Sequence, residues 1–354
     1  MKKLLFLSVP LMLIGAIALT NKSADANLVK KPDDIMLAPK LAQKTTMSGK
    51  GTEASPYIIT TAAQFDQIQY DLSAYYKLGN NINFNKSNIN PIPGTFEGVL
   101  DGNSKTLSNF KISKNYTTNV TDQNIGLFEK VGYQGNIHKL TIKDSTVETK
   151  QETTNNTLVF GGLICGMNYG TIENITCYRT TVNIENKIGL AGGISGYSDN
   201  LIKNCTLKGC KVFGSDIVGG ISGSLDYNSR TLECFITRDQ GSFIWEYTDP
   251  SVKLVDKNIN NSFVAGGVAG HCYGRATIIG CSINYINFTV EGTLSHSPAM
   301  GYSIGHMNGG TVYGKNKNFM YNTRPEISSA YASYCFANYN YQVGKCENDA
   351  QVIF

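Results

Sequence analysis

From Ile125 onward, apolar residues fall at alternate positions in short runs, and glycine-rich turns separate the runs. NIHKLTI, TIENITC, LIKNCTL, RTLECFI and TIIGCSI superpose without gaps. A two-residue period is that of a strand with one buried face. The first apolar column then reads Ile137, Ile172, Ile202, Thr231 and Ile278. The last reads Ile142, Cys177, Leu207, Ile236 and Ile283, and between them stand Leu140, Ile175, Cys205, Cys234 and Cys281.

Each run follows a glycine unit. The first is IGLFEKVG from Ile125; Gly-Gly pairs then begin at 161, 192, 219 and 266, and GYSIG from Gly301 is a decayed sixth. The intervals between the pairs are 31, 27 and 47 residues. The long one holds an insertion, residues 238–261, with the single tryptophan, Trp245. No unit carries a 3.6-residue apolar stripe, which excludes helical repeats. A period near 30 built of short strands predicts one solenoid coil per repeat, because a coil buries its inward face only against its neighbours. The expected fold is all-β, a right-handed parallel β-helix with coils over residues 111–294, its Gly-Gly pairs marking corners.

The flanks read differently. Residues 51–110 are expected to form an N-terminal cap containing a short helix: Thr61 at its N-cap, Gln64 three residues on, Phe65 and Ile68 on one face. Within that cap, PIPGTFEGVLDGNSKTLSNFKI reads as a hairpin-like unit turning at Asp101-Gly102. Residues 295–354 are expected to close the other end, since a bare terminal coil is a pairing edge.

Charge narrows the function classes. Charged residues make up only 16% of the chain, the net charge is +4, and no basic block extends beyond Lys2-Lys3 and Lys30-Lys31. Nucleic-acid binding has no electrostatic footprint here. Residues 1–26 read as a signal peptide: Lys2-Lys3, an apolar run from Leu4 to Leu19, then Ala24-Asp25-Ala26 as a site cut after Ala26. That run is shorter than the ~20 residues a bilayer span needs. No second apolar segment follows, so no transmembrane segment is expected after cleavage, and the product is secreted or at the cell surface. Residues 27–50, polar and basic, read as a flexible linker.

GTFEGVLDGNSKTLSNFKI, IGLFEKVGYQGNIHKLTI and the repeated GGI-x-G units resemble those of GLUG-motif repeat proteins. The resemblance covers residues 51 to about 290. It implies an exported bacterial surface protein, adhesin-like and β-helical, and brings no shared catalytic residues. The cysteines, the insertion and the last sixty residues depart from that pattern.

Nine cysteines in an exported chain invite a disulfide framework. Cys205, Cys234 and Cys281, however, fill a slot that Leu140 and Ile175 fill in earlier coils, as small buried hydrophobes do. Two readings stand: a ladder of buried free thiols, or a disulfide within it, because rungs ~4.8 Å apart bring the Cα atoms within range. Zinc is disfavoured by the lack of C-x₂-C pairing. Cys335 and Cys346 are the best disulfide candidate, closing a short loop. The pattern assigns no partners to Cys165, Cys210 and Cys272.

Chemistry is sparse. Parallel β-helix enzymes that cleave polysaccharides need carboxylates gathered on one face. Asp226, Glu233, Asp239 and Glu246, around the fourth repeat and its insertion, are the weak catalytic candidates; a solvated rim is the simpler account. His271 and His306 share the slot of Met167, Tyr197 and Ser224, which reads as a tolerant exposed turn position. No metal or cofactor is expected, and no nucleophile-elbow, zincin or phosphate-loop motif occurs. The expectation is binding through the solenoid face, to a host or envelope protein or glycan, with Tyr197, Tyr227, Trp245, Tyr247 and His271 as candidates. The rival is a polysaccharide lyase or glycosidase with its site near the insertion.

Overall fold

The computed structural model describes residues 46–116, 123–151, 158–185, 188–237, 251–255, 264–283, 287–291, 299–301, 304–313, 343–347 and 351–353. The chain winds as a parallel β-solenoid. Parallel pairing starts where Tyr57–Ile59 meets Tyr76–Leu78 and runs on to Gln351–Ile353, which pairs with Thr311–Tyr313. Among the described residues a large sheet links 25 strands and a second, six-stranded sheet stacks 123–125, 158–162, 188–192, 217–219, 264–266 and 299–301.

The columns read from the sequence are the rungs of the large sheet. Ile172 pairs with Ile137 and Ile202, Ile202 with Thr231, and Thr231 with Ile278. Cys177 pairs with Ile142 and Leu207, followed by Ile236 and Ile283. All ten side chains are buried. Between these columns each coil bends through one residue with left-handed backbone: Lys139, Asn174, Asn204, Glu233 and Gly280, at φ 54, 55, 51, 54 and 66°. A second bend column runs Asn109, Asp144, Arg179 and Gly209, at φ 57, 49, 49 and 59°. A left-handed residue costs ~1–2 kcal/mol unless it is Gly, and Asn or Asp pays least. Arg179 is held there by a fork onto Asp144 of the preceding coil, Nε to Oδ1 2.8 Å and Nη2 to Oδ2 3.1 Å, with its guanidinium 4.5 Å above the Tyr178 ring.

The Gly-Gly pairs mark another change of direction: Gly193, Gly220 and Gly267 fall in the bends between strands ending at Gly192, Gly219 and Gly266 and strands beginning at Ser195, Ser222 and Ala269. Gly161-Gly162 lies inside strand Leu158–Gly162 and pairs with Ala191-Gly192, so the structural interval from Gly162 to Gly192 is 30 residues. Close approach demands glycine at this rung. A Cβ on Gly192 would stand 2.0 Å from the Ser195 carbonyl oxygen and 2.6 Å from Ser222 Cα. On Gly219 and Gly266 it would stand 1.8 and 1.9 Å from the equivalent oxygens of Ser222 and Ala269.

One flank expectation changes. The segment around Asp101-Gly102 is no hairpin: Val99–Tyr116 is one long, bent strand, parallel to 136–143 and to 146–151. Asp101 Oδ1 accepts from Asn103 N at 2.8 Å, which shapes the left-handed pair Asn103-Ser104 into a bend. The stretch expected to be a cap is itself stacked in parallel from Tyr57, with the helix Ala62–Asp66 beside it. Thr61 caps that helix through its Oγ1, which accepts from Gln64 N. The Gln64 side chain reaches one residue further back, accepting from Thr60 N at 2.7 Å. Phe65 and Ile68 are buried. Strands at 299–301, 304–313, 343–347 and 351–353 continue the same parallel ladders toward the C-terminus.

The cysteines join the core. Cys165, Cys177, Cys205, Cys210, Cys234, Cys272 and Cys281 are buried free thiols. Cys205, Cys234 and Cys281 each follow a bend residue, and Cys210 follows Gly209 in the second bend column. Each thiol donates to the carbonyl two residues back, Cys205 to Lys203 O at 3.4 Å and Cys210 to Lys208 O at 3.5 Å. Ser145 does the same to Lys143 O at 2.8 Å. So a cysteine here is a column-filler that also serves a bend carbonyl. Burial pushes these thiols' pKa upward at Cys165, Cys177, Cys210 and Cys234, and at Cys272 to about 12. A thiol held protonated is a poor nucleophile. Cys335 lies outside the described residues, and so does any bridge from it to Cys346.

Candidate functional site

The strand following each glycine unit carries its side chains alternately inward and outward. Its inward column is Cys165, Ser195, Ser222, Ala269 and Ile304, all buried. Two residues on stand Lys130, Met167, Tyr197, Ser224, His271 and His306 in register, as the sequence alignment has the last five. Beyond it come Tyr133, Tyr169, Asp199 and Asp226 outside the strands and Tyr273 within the strand Ala269–Ile279. Stacking thereby gathers, on one stretch of the solenoid, residues some 30 positions apart in sequence.

Aromatic rings run across three coils. The Tyr133 and Tyr169 centroids are 5.4 Å apart, those of Tyr169 and Tyr197 5.9 Å, and Phe160 stands edge-on to Tyr197 at 5.9 Å. Tyr133, 70% exposed, ends the row with its ring open to solvent. Tyr197 Oη donates to Asp226 Oδ2 at 2.5 Å, and Asp226 Oδ1 accepts from Tyr227 N at 2.8 Å. Asp199 Oδ1 accepts from Asn228 N at 2.9 Å. Tyr227, half exposed, lies against Gly274, where a Cβ would meet its ring at 2.3 Å, and the Arg275 guanidinium stands 5.3 Å from its centroid. Gly274, at φ 62°, has the left-handed backbone that favours glycine.

Electrostatics keep the phenols protonated. Burial raises the pKa of Tyr197 first, and its bond to Asp226 with the charges of Asp226 and Asp199 adds to it. Tyr169 rises for the same order of reasons, burial ahead of Tyr133, Asp199 and Asp226, and Tyr273 through burial, Asp226 and Asp216. The face thus offers aromatic area, fixed O–H groups and two carboxylates.

His271 corrects an expectation. It is 6% exposed rather than an exposed turn residue, because its ring is enclosed between Tyr273, 3.7 Å centroid to centroid, and His306, stacked at 4.5 Å and 15°. Stacked rings send their in-plane nitrogens along parallel directions, so the two imidazoles do not converge on one ion. Among the described residues no group of three His, Cys, Asp or Glu side chains is placed to hold a metal.

Of the four acidic candidates, Asp226 and Glu233 are described. Asp226 is engaged by Tyr197 and by the Tyr227 amide. Glu233 occupies a bend beyond the strand Arg230–Leu232, its side chain 61% exposed and 3.8 Å from Lys203 Nζ. Asp239, Trp245, Glu246 and Tyr247 lie outside the described residues. The structure therefore brings Tyr197, Tyr227, His271 and Asp226 to one face and puts Glu233 at a bend. Tyr133, Tyr169, Asp199 and Tyr273 went unnoticed in sequence. Their signal was the residue after each buried Asn168, Ser198, Leu225 or Cys272, and the second residue after Val131, an outward column with no periodic constraint on its chemistry.

No helix among the described residues is long and apolar enough to cross a membrane. No family model matches the chain. It is 30% identical over 168 residues to halomucin of Haloquadratum walsbyi, a match covering 43% of this chain and 2% of that protein. It is 29% identical over 143 residues to a candidate Gly-rich membrane protein of Evansella cellulosilytica, covering 36% of this chain and 15% of the other. The chain thus spans a small part of the length of either relative. Among solved structures it is similar to a candidate immunoglobulin A1 protease from Bacteroides ovatus, at 18% identity and a TM-score of 0.43, covering 72% of this chain and 85% of that one.

Proposed function

We propose that this chain is an exported GLUG-like repeat protein, secreted or held at the cell surface, that binds a glycan or protein through its solenoid face. The observation carrying this reading is the exterior row of Tyr133, Tyr169 and Tyr197, flanked by Asp199, Asp226 and Tyr227. Tyrosine supplies wide contact area at low entropic cost and a hydroxyl for orientation. The signal-like N-terminus and the surface and membrane names of the two partial relatives support the same compartment.

The test is a screen of the secreted chain on glycan arrays and against polysaccharides for depolymerisation. Binding that Tyr133→Ala weakens roughly fivefold, about 1 kcal/mol, with an unchanged unfolding midpoint, is the expected result. Depolymerisation abolished by Glu233→Gln overturns the reading in favour of a carbohydrate-active enzyme. Mass analysis of the secreted product is expected to find Asn27 as its first residue.

A further inference from the structure

Apart from the tyrosine row, the start of the solenoid contains a pocket of about 370 Å³, between the first strand, the short helical segment and the strand Tyr75–Leu78. Its walls are Met47, Tyr57, Tyr70 and Tyr76, with Gln67 and Asp71 supplying the polar groups. The Tyr57 and Tyr76 rings stand 5.7 Å apart at 39°, and Tyr70, 62% exposed, stands at the opening. Gln67 is 6% exposed, yet its buried Oε1 finds no hydrogen-bond donor among the described residues. A buried amide oxygen left in that state is costly, and buried acceptors in folded proteins are nearly always satisfied. Gln67 itself lines the pocket.

The chemistry of a fitting donor follows from the walls. Among the described residues none that lines it is cationic. Tyr76 Oη already donates, to Asp71 O at 2.7 Å, and its pKa is raised by burial and then by the Asp71 charge, so that negative field reaches the pocket. Asp71 Oδ1 accepts from the Ser73 amide and hydroxyl, which fixes the carboxylate at the rim. Tyrosine faces attract cations through the ring quadrupole. We propose that this pocket binds a primary ammonium group, one N–H donating to Gln67 Oε1, the charge facing the tyrosine rings and Asp71. A quaternary ammonium leaves Gln67 without its donor, and a neutral sugar gains nothing from the carboxylate field. A metal cation would find a single carboxylate.

The experiment titrates the full chain with n-propylammonium, tetramethylammonium and methyl glucoside by calorimetry, with Tyr70 and Tyr76 ring resonances as a second readout. Saturable propylammonium binding is expected, at least about tenfold tighter than tetramethylammonium, the value of one hydrogen bond to a charged donor, and no binding of the glucoside. Gln67→Met is expected to weaken propylammonium binding by a similar factor while leaving the unfolding midpoint equal or higher, because an unsatisfied acceptor is removed. Asp71→Asn is expected to weaken it and to flatten its salt dependence. Equal affinity for the two ammonium ions, preference for the glucoside, unchanged affinity in Gln67→Met, or no saturation at all overturns the proposal. Each outcome is independent of the glycan screen above, because Tyr133 plays no part in this pocket.

Discussion

Gly192→Ala tests why the repeat is written in glycine. The added Cβ would stand 2.0 Å from Ser195 O within its own coil and 2.6 Å from Ser222 Cα of the next. An ordinary carbon–oxygen contact needs roughly 3.2 Å, so the backbone must yield by about 1.2 Å, and densely packed interiors resist such shifts at ~1–3 kcal/mol or more. Both obstructing atoms are backbone, with stacked coils on either side, so no side chain can swing away. Against this, alanine restricts the unfolded chain and returns ~0.4–1 kcal/mol. The net expectation is a loss of about 1–2.5 kcal/mol. The control is Gly189→Ala in the same strand, whose Cβ would first meet Ile184 Cγ2 at 3.0 Å and Ile184 O at 3.2 Å. Neither glycine has left-handed backbone, so the conformational term is the same for both. Urea unfolding followed by circular dichroism compares them, and partial unfolding of the coil affects both alike. If the two variants fall within about 0.5 kcal/mol of each other, roughly the resolution of such a comparison, close approach is not what selects glycine here.

Thr231 replaces isoleucine in the first core column, and its buried Oγ1 has no hydrogen-bond partner among the described residues; Thr231→Val is expected to raise stability by about 1 kcal/mol, and a lower denaturation midpoint would refute it. The buried thiols are expected to resist a thiol-titrating reagent in the native protein at pH 8, the seven described ones all becoming reactive in guanidinium; prompt native labelling of Cys234 or Cys281 would contradict their burial. Burial raises the Asp216 pKa to about 6 from 3.8. The folded state therefore holds this proton more tightly than the unfolded state does, so stability is greatest below the unfolded value and falls as pH rises through about 6. At about 1.36 kcal/mol per unit the loss is of order 3 kcal/mol. Asp216→Asn is expected to abolish that part of the slope and to raise the midpoint at pH 7, and an unaltered pH profile would refute the assignment.

The sequence by itself determined the rungs. A two-residue period is enforced inside each strand by burial, so columns such as Ile137, Ile172, Ile202, Thr231 and Ile278 could be read before any coil was stacked. It also showed that Cys205, Cys234 and Cys281 share a slot with Leu140 and Ile175, since whatever fills a core column must match its neighbours in volume. It did not show the left-handed bends. Asn174, Asn204 and Gly280 suit a left-handed φ, but Lys139 and Glu233 stand in the same column, so the bend leaves no consistent mark on composition. The Gly-Gly units drew attention to themselves, but their cause is the carbonyl and the next coil's Cα occupying the space of a Cβ. Only the tertiary structure decided which outward residues meet. Tyr133, Tyr169 and Tyr197 are 36 and 28 residues apart, and nothing local relates them until three coils stack. The inside of a solenoid is constrained by burial and legible in the chain; its outside is constrained only by neighbours that the winding brings together.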